Sequence, residues 1–411
     1  MKKLDIEKVI SQMTLEEKIH FVVGVGLLGI EDNPKPKVKG AAGETFEILR
    51  LGIPRTVLAD GPAGLRIDPE RENDEKKYYA TAFPVETMLA STWNREILKK
   101  VGEAMGEEVR EYGVDILLAP AINIHRNPLC GRNFEYYSED PFLAGELAAS
   151  FVEGVQSQGV GACLKHFVGN EQETNRMTVD TVVSERALRE IYLKPFEIAI
   201  KKSKPWTIMS SYNKLNGNYT SQHKWLLTNV LRYEWQFDGF VMTDWFAGDD
   251  GTKQVASGND LIMPGKSHQV FKHRRNEIDD IRKALENGEL TEEVLNERIR
   301  NILKVLVKTP SFRRYTYSNN PNLEKHAQIS YEAGCEGVVL LKNDNVLPIS
   351  ESTPVALFGT GQIETIRGGT GSGETHPPYT ISFLDGFVEA SLNIDRELED
   401  FYRKKVEEMR N

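Results

Sequence analysis

Residues 239–250 read GFVMTDWFAGDD: a short run from Phe240 to Thr243 leads straight into an acid, Asp244, followed by Trp245 and Phe246. The run is too short for a typical helix and shows no polar alternation. It therefore reads as a strand buried on both faces, with Asp244 at its carboxyl end. The same form recurs as VLAD (57–60), ILLAP (116–120), ACLKH (162–166), TIMSSY (207–212) and DLIMPG (260–265). Between these runs the periodicity predicts helices over 93–112, 138–159, 184–202 and 223–235, and Thr14 with Glu17 has the spacing of a capping box for an opening helix. Continuously apolar strands alternating with helices call for a parallel sheet covered on its outer face. Six or seven such units favour a closed barrel over an open sheet. The expected fold is α/β, with an N-terminal TIM-like (β/α) barrel over residues 1–309 closed by a helix at 291–308.

Residues 310–325 hold Pro310 and Pro321 among Ser, Asn and Tyr and read as a linker. The segment 326–411 then offers a helix, the apolar runs GVVLLKN (337–343) and PVALFGT (354–360), a glycine-rich loop GGTGSGE (368–374) and a charged final helix. Two strands are too few for a free-standing layered domain. This unit is expected to be the first, incomplete part of an α/β sandwich domain.

Composition narrows the function classes. A chain of 411 residues has room for about two or three domains. The net charge of −10 would repel a polyphosphate backbone on average, which argues against nucleic acid as a partner. Cys130, Cys163 and Cys335 lie far apart with no C-x-x-C pair, so neither a disulfide framework nor a structural zinc site is expected. No apolar h-region follows the first lysines, and the longest mostly apolar stretch, 21–30, is about half a membrane span. The expectation is a cytoplasmic enzyme with no membrane partner.

In barrels, chemistry sits where strands end. Asp244 stands at such an end beside Trp245, a pairing suited to holding a sugar ring against an indole. A glycosidase nucleophile must be an ionised carboxylate on a rigid element, which a strand end supplies. An acid that merely starts a loop or caps a helix would look the same. Lys165 and His166 close another strand and could both donate to neighbouring hydroxyls, or equally be satisfied within the protein. Asp60, six residues before Arg66 in LADGPAGLR, could accept from two vicinal hydroxyls, or belong to a Gly-Pro turn. The loop HRNPLCGRNFEYYSEDP (125–141) is dense in charge and aromatics; within it Glu135 could partner Arg132 or act as a base. Tyr212 is placed to donate to the nucleophile. Two phosphate motifs fail: Glu374 stands where a P-loop needs lysine, and Glu364 stands where a dinucleotide fingerprint needs its third glycine. No cofactor is expected. Ser372, in the glycine-rich loop, could reach the barrel mouth.

Taken in order, LADGPAGLR, GRNFEYYSEDP, LKHFVGNEQE, MSSYN, GFVMTDW, GNDLIMPG, GVVLLKN and GGTGSGETHP resemble glycoside hydrolase family 3, in its bacterial Thermotoga-type β-glucosidase branch. The resemblance implies a retaining, exo-acting β-glucosidase that releases terminal glucose from β-glucosides and cello-oligosaccharides. It implies Asp244 as nucleophile and a −1 subsite of Asp60, Arg66, Arg132, Lys165, His166, Met209, Tyr212, Trp245 and Ser372, with no metal. The family's N-acetylglucosaminidase branch carries an Asp-x-His dyad after the strand-end Lys-His, and here that loop reads GNEQETNRMTVDT without one. Members lacking the dyad take their general acid from a Glu later in the second domain. The acid/base is therefore expected outside this chain, in a remaining C-terminal portion present as continued or second chain. Glu135, Glu171 and Glu173 are the candidates within it. Two other readings stand beside this one: a sugar-binding fragment without independent activity, and a metal-dependent hydrolase using His125, His166 and Asp244.

Overall fold

The computed structural model describes residues 4–27, 30, 31, 33–271, 274 and 276–410. Its strands are β1 (Gly43–Glu44), β2 (Val57–Asp60), β3 (Ile116–Leu118), β4 (Gly161–Phe167), β5 (Asp180–Thr181), β6 (Thr207–Ser210), β7 (Lys214–Leu215), β8 (Asn218–Tyr219) and β9 (Phe240–Thr243). The main sheet runs β1-β2-β3-β4-β6-β9; β1 is antiparallel to β2 and every other pair is parallel. β5, β7 and β8 form a small sheet of their own.

The sheet curls, and its edges meet through single bridges. Leu261 bridges Met242, Ile262 bridges Val23, and Val25 bridges Glu44 of β1. The run 260–265, expected as a full strand, thus contributes bridges rather than a ladder. One cause is Asp260, whose side chain takes the Val241 N–H at 2.7 Å.

Side-chain alternation explains why the strands read as continuously apolar. Val57, Ala59, Leu117, Ala162, Leu164, Ile208 and Val241 join one buried cluster. Their neighbours Leu58, Ile116, Leu118, Cys163, Met209, Phe240 and Met242 join the other. Successive residues face opposite sides of a strand, and here both sides are dry. The same parity carries the sheet's chemistry: Asp60, Lys165 and Asp244 each lie two residues beyond Leu58, Cys163 and Met242, on the face shared by the second cluster.

The helices form largely where periodicity placed them. Arg95–Glu111 starts at Asn94, whose Oδ1 accepts from the Glu96 and Ile97 amides, and Pro141–Ser157 starts at Asp140, which accepts from Phe142 and Leu143. Each cap contributes about 1 kcal/mol. The predicted capping box of Thr14 and Glu17 is present. The segment expected as one helix over 184–202 breaks into Glu185–Ala187, a π-turn Leu188–Tyr192 and Lys194–Ser203. Pro195 has no N–H to continue the ladder backwards, which accounts for the break. Trp225–Glu234 is wound as a π-helix, and Glu292–Leu306 packs its apolar side into the second cluster.

Leu323–Gly337 docks on the barrel side: Ala333 joins the first cluster, and His326 is wedged between Glu108 at 2.8 Å and Glu107 at 3.3 Å. The runs 337–343 and 354–360, expected as strands, form no ladder among the described residues. Val355 alone makes a bridge, to Ile394. Val338, Val339, Leu340, Leu341 and Phe358 stand exposed. A strand needs a neighbour for its backbone N–H and C=O groups, and these runs have none there.

Candidate active site

A cleft of about 540 Å³ opens at the carboxyl ends of β2, β4, β6 and β9. Asp60, Arg66, Arg132, Lys165, His166, Met209, Tyr212, Asp244, Trp245 and Ser372 all line it. Sequence reasoning therefore picked residues that the fold brings together from six separate stretches of chain.

Asp244 is 6% exposed. Its Oδ1 accepts from the Trp245 amide at 2.7 Å, while Oδ2 is buried with no hydrogen-bond partner. Around Oδ2 stand His166 Nε2 at 3.8 Å and Arg132 Nη1 at 4.0 Å. Burial pushes the Asp244 carboxyl above its ordinary value, opposed by Arg132, the Trp245 amide, Lys165 and the Tyr212 phenol. The result is a carboxylate with one oxygen anchored and the other available. Trp245 is held by its indole N–H, which donates to the Ala42 carbonyl at 2.8 Å.

Arg132 and Glu135 sit on the loop at 125–141, which Thr87 pins by donating to the Asn133 and Tyr136 carbonyls. Arg132 Nε donates to Glu135 Oε1. Burial alone would raise the Glu135 carboxyl, but Arg132 and Lys165 outweigh it and hold it below the usual range. Glu135 is thus the charged partner of Arg132, the first of the two roles open to it in sequence. Ser372 reaches it from the glycine-rich loop, with Oγ donating to Oε2 at 3.3 Å. That approach depends on glycine: a Cβ at Gly369 or Gly373 would fall 2.3 or 2.6 Å from the Phe134 ring. Any side chain there would force either the Phe134 ring or the loop to move.

Of the two roles open to His166 in the sequence, the structure shows the one in which it is satisfied within the protein. Burial, Arg132 and Lys165 drive its pKa well below the usual imidazole value, so the ring is neutral. Its Nε2 meets Arg132 Nη2 at 2.7 Å, and since guanidinium can only donate, His166 accepts. Asp60 is flanked by Arg66 at 3.5 Å and Lys165 at 4.0 Å, and Arg66 also reaches Glu374 at 3.5 Å.

Other residues appear only in the fold. Phe134 and Arg176 line the cleft beside Glu173, the acid candidate named in the sequence, with Arg176 stacking over the Tyr212 ring at 4.5 Å. Asn123 and Glu86 lie behind it, fully buried. A lone Asn inside the apolar AINI (121–124) was the available signal for the former. His125 gives Nε2 to the Asn133 and Tyr136 carbonyls, which holds the loop at 125–141. Among the described residues no group of three or more His, Cys, Asp or Glu could hold a metal ion. No helix there is long and apolar enough to cross a membrane.

Comparison with known proteins places this geometry. Residues 50–305 match the glycosyl hydrolase family 3 N-terminal domain and residues 338–408 match the family 3 C-terminal domain. The chain belongs to glycosyl hydrolase family 3. Among solved family 3 structures, β-glucosidase 3B from Thermotoga neapolitana in complex with α-D-glucose is 68% identical with a TM-score of 0.97, covering 99% of this chain and 57% of that one. Thermostable β-glucosidase B of Acetivibrio thermocellus is 45% identical over 380 residues, covering 91% of this chain and 47% of the relative. An exo-α-(1→6)-L-arabinopyranosidase of Bifidobacterium longum is 39% identical over 403 residues, covering 94% and 50%. The chain thus spans about half the length of the curated family 3 relatives it matches. Its cleft carries four carboxylates, Asp60, Glu135, Glu173 and Asp244, against four cations, Arg66, Arg132, Lys165 and Arg176. So balanced a lining suits a neutral polyhydroxylated ligand better than a strongly charged one.

Proposed function

We propose that this chain carries the sugar-binding and nucleophile portion of a retaining, exo-acting β-glucosidase that releases terminal β-linked glucose from β-glucosides and short cello-oligosaccharides. The observation that carries the reading is Asp244: a buried strand-end carboxylate with a free Oδ2, in a charge-balanced cleft. In this reading Oδ2 attacks the anomeric carbon and forms a covalent glycosyl-enzyme, which water then hydrolyses. Asp60, Arg66, Arg132, Lys165, His166, Met209, Tyr212, Trp245 and Ser372 form the −1 subsite. Trp245 supplies an apolar wall, Asp60 and Lys165 bind hydroxyls, and Arg132 with Tyr212 opposes the rise that burial imposes on the nucleophile's pKa. The family 3 relatives that carry the name β-glucosidase and the glucose complexes of the Thermotoga enzyme support the substrate class.

The second carboxyl group is the general acid/base, and we place it outside this chain, in a further C-terminal portion supplied as continued or second chain. Each of the in-chain candidates is either engaged by an arginine or set back from the cleft wall. Glu135 is held charged by Arg132; Glu173 is committed to Arg176 at 2.8 Å. Glu171, pushed up by burial to about 7, is not in the lining and binds Asn123. The exposed run Val338–Leu341 offers apolar surface for such a portion to cover. The same lack of an in-chain acid favours a second reading, a sugar-binding fragment with no independent activity. Three free cysteines fit a reducing, cytoplasmic setting.

Dinitrophenolate leaves without protonation, so dinitrophenyl β-glucoside separates the readings. Nucleophile chemistry alone predicts a burst of dinitrophenolate from the chain by itself, with slow or no turnover of an alkyl β-glucoside. No burst from a folded, glucose-binding chain would leave the binding-fragment reading. Equal rates on both substrates would overturn the missing acid.

A further inference from the structure

Behind the cleft, Asn123 holds His166 by both its backbone and its ring. The His166 backbone N–H donates to Asn123 Oδ1 at 2.8 Å, and Asn123 Nδ2 donates to the His166 carbonyl at 2.9 Å. These two bonds fix which end of the amide is oxygen, since reversing it would set donor against donor and acceptor against acceptor. Oδ1 also faces His166 Nδ1 at 3.3 Å, and an amide oxygen can only accept, so Nδ1 carries the proton. The opposite ring nitrogen, Nε2, faces the guanidinium of Arg132, which can only donate, at 2.7 Å. Both ends of the ring demand the same neutral tautomer. Asn123 itself is 1% exposed, and its remaining N–H lies 3.4 Å from Glu171 Oε1.

We propose that Asn123 is a positioning residue: by holding the proton of His166 on Nδ1, it presents Nε2 as the acceptor that aims Arg132 at the Asp244 carboxylate. The relay runs from Asn123 through His166 to Arg132, which stands 4.0 Å from Asp244 Oδ2 and also binds Glu135. With the proton moved to Nε2, two donors would face each other across 2.7 Å. Arg132 would swing toward Glu135 and leave the nucleophile less well placed. Asn123 touches neither the cleft nor the reacting atoms, so its effect should fall on the rate of glycosylation more than on sugar binding. This inference rests on the reading of Asp244 as nucleophile.

The test uses the whole chain labelled with ¹⁵N-histidine, with His166 assigned by its loss in His166→Gln. In the wild type, Nε2 of His166 should give the shift of an unprotonated ring nitrogen and Nδ1 that of a protonated one. Asn123→Ala should move the ring toward the Nε2–H form or a mixture, and should lower the dinitrophenyl β-glucoside burst rate about 10- to 100-fold, the range for losing a hydrogen bond that involves a charged group. Glucose affinity should change less than about 3-fold by the same reasoning. Asn123→Asp keeps an acceptor oxygen facing Nδ1 and should hold the Nδ1–H tautomer, while its second oxygen, set against the His166 carbonyl and Glu171 Oε1, should keep the burst rate below that of the wild type. A wild-type ring protonated on Nε2 overturns the proposal whether or not any variant folds. So does a folded Asn123→Ala chain with an unaltered tautomer and rate. If the wild type shows the Nδ1–H tautomer but no burst, the nucleophile reading fails while the assignment of the tautomer stands.

Discussion

The two ends of this chain use apolar residues in opposite ways. In the curled sheet, alternate residues of every parallel strand enter one of two buried clusters, and Leu58, Ile116, Cys163 and Met242 are wholly inaccessible. In the segment after Gly337, Val338, Val339, Leu340 and Leu341 form an equally apolar run that is largely exposed, Leu341 at 92%. Side-chain composition is similar; what differs is whether strand neighbours are present to satisfy the backbone and cover the faces. The first region can hold catalytic groups rigidly, while the second contributes to the cleft only where it is pinned, through Gly369 and Gly373 against Phe134.

The comparison can be broken most forcefully at Asp244. Asp244→Asn should lower the dinitrophenyl β-glucoside burst by about 10⁴-fold or more while leaving the circular dichroism spectrum unchanged. Loss of fold instead would make Asp244 structural. Next in size, Met242→Ala should cost about 2–5 kcal/mol in denaturant unfolding, because a cavity opens in a dry cluster. Ser372→Ala removes the one hydroxyl that the second region brings to Glu135, and should weaken glucose binding by about 3- to 10-fold in calorimetry. An unchanged affinity would show that the glycine-rich loop is a bystander.

The docking of Leu323–Gly337 on Arg95–Glu111, just before the exposed segment, is pH-dependent. Burial would lower the pKa of His326, but the bond to Glu108 and the charges of Glu108 and Glu107 outweigh it, so the folded value is raised. Its stabilisation is complete below the unfolded imidazole value of about 6.5 and is lost as pH rises through the raised folded value. The difference in Tm between wild type and His326→Gln should be larger at pH 6 than at pH 9. A difference that grows with pH would contradict an ionised His326 between Glu107 and Glu108. The smallest effect should come from Leu341→Ala, within about 0.5 kcal/mol for an exposed site.

Much of this was legible in the sequence, and the reasons are local. Strands β2, β3, β4, β6 and β9 are legible because both faces are buried, so apolar residues run through most of each without alternation. Asp60, Lys165, His166 and Asp244 were visible as the polar residues closing those runs. The exposed runs at 337–343 and 354–360 misled, since an apolar run reports what a segment can pair with and not whether a partner is at hand. The two roles open to His166 could not be separated in the sequence because its tautomer depends on Asn123 and Arg132, which lie 43 and 34 residues away. Such long-range hydrogen bonds leave no period in a sequence.

The central claim is that Asp244 becomes covalently glycosylated. Incubation with the 2-deoxy-2-fluoro analogue of dinitrophenyl β-glucoside, followed by proteolysis and mass spectrometry, tests it directly. The account predicts one fluoroglucosyl group on the peptide containing Asp244, absent from Asp244→Asn. A label on Glu135 or Glu173, or none on a folded chain that binds glucose, would contradict it.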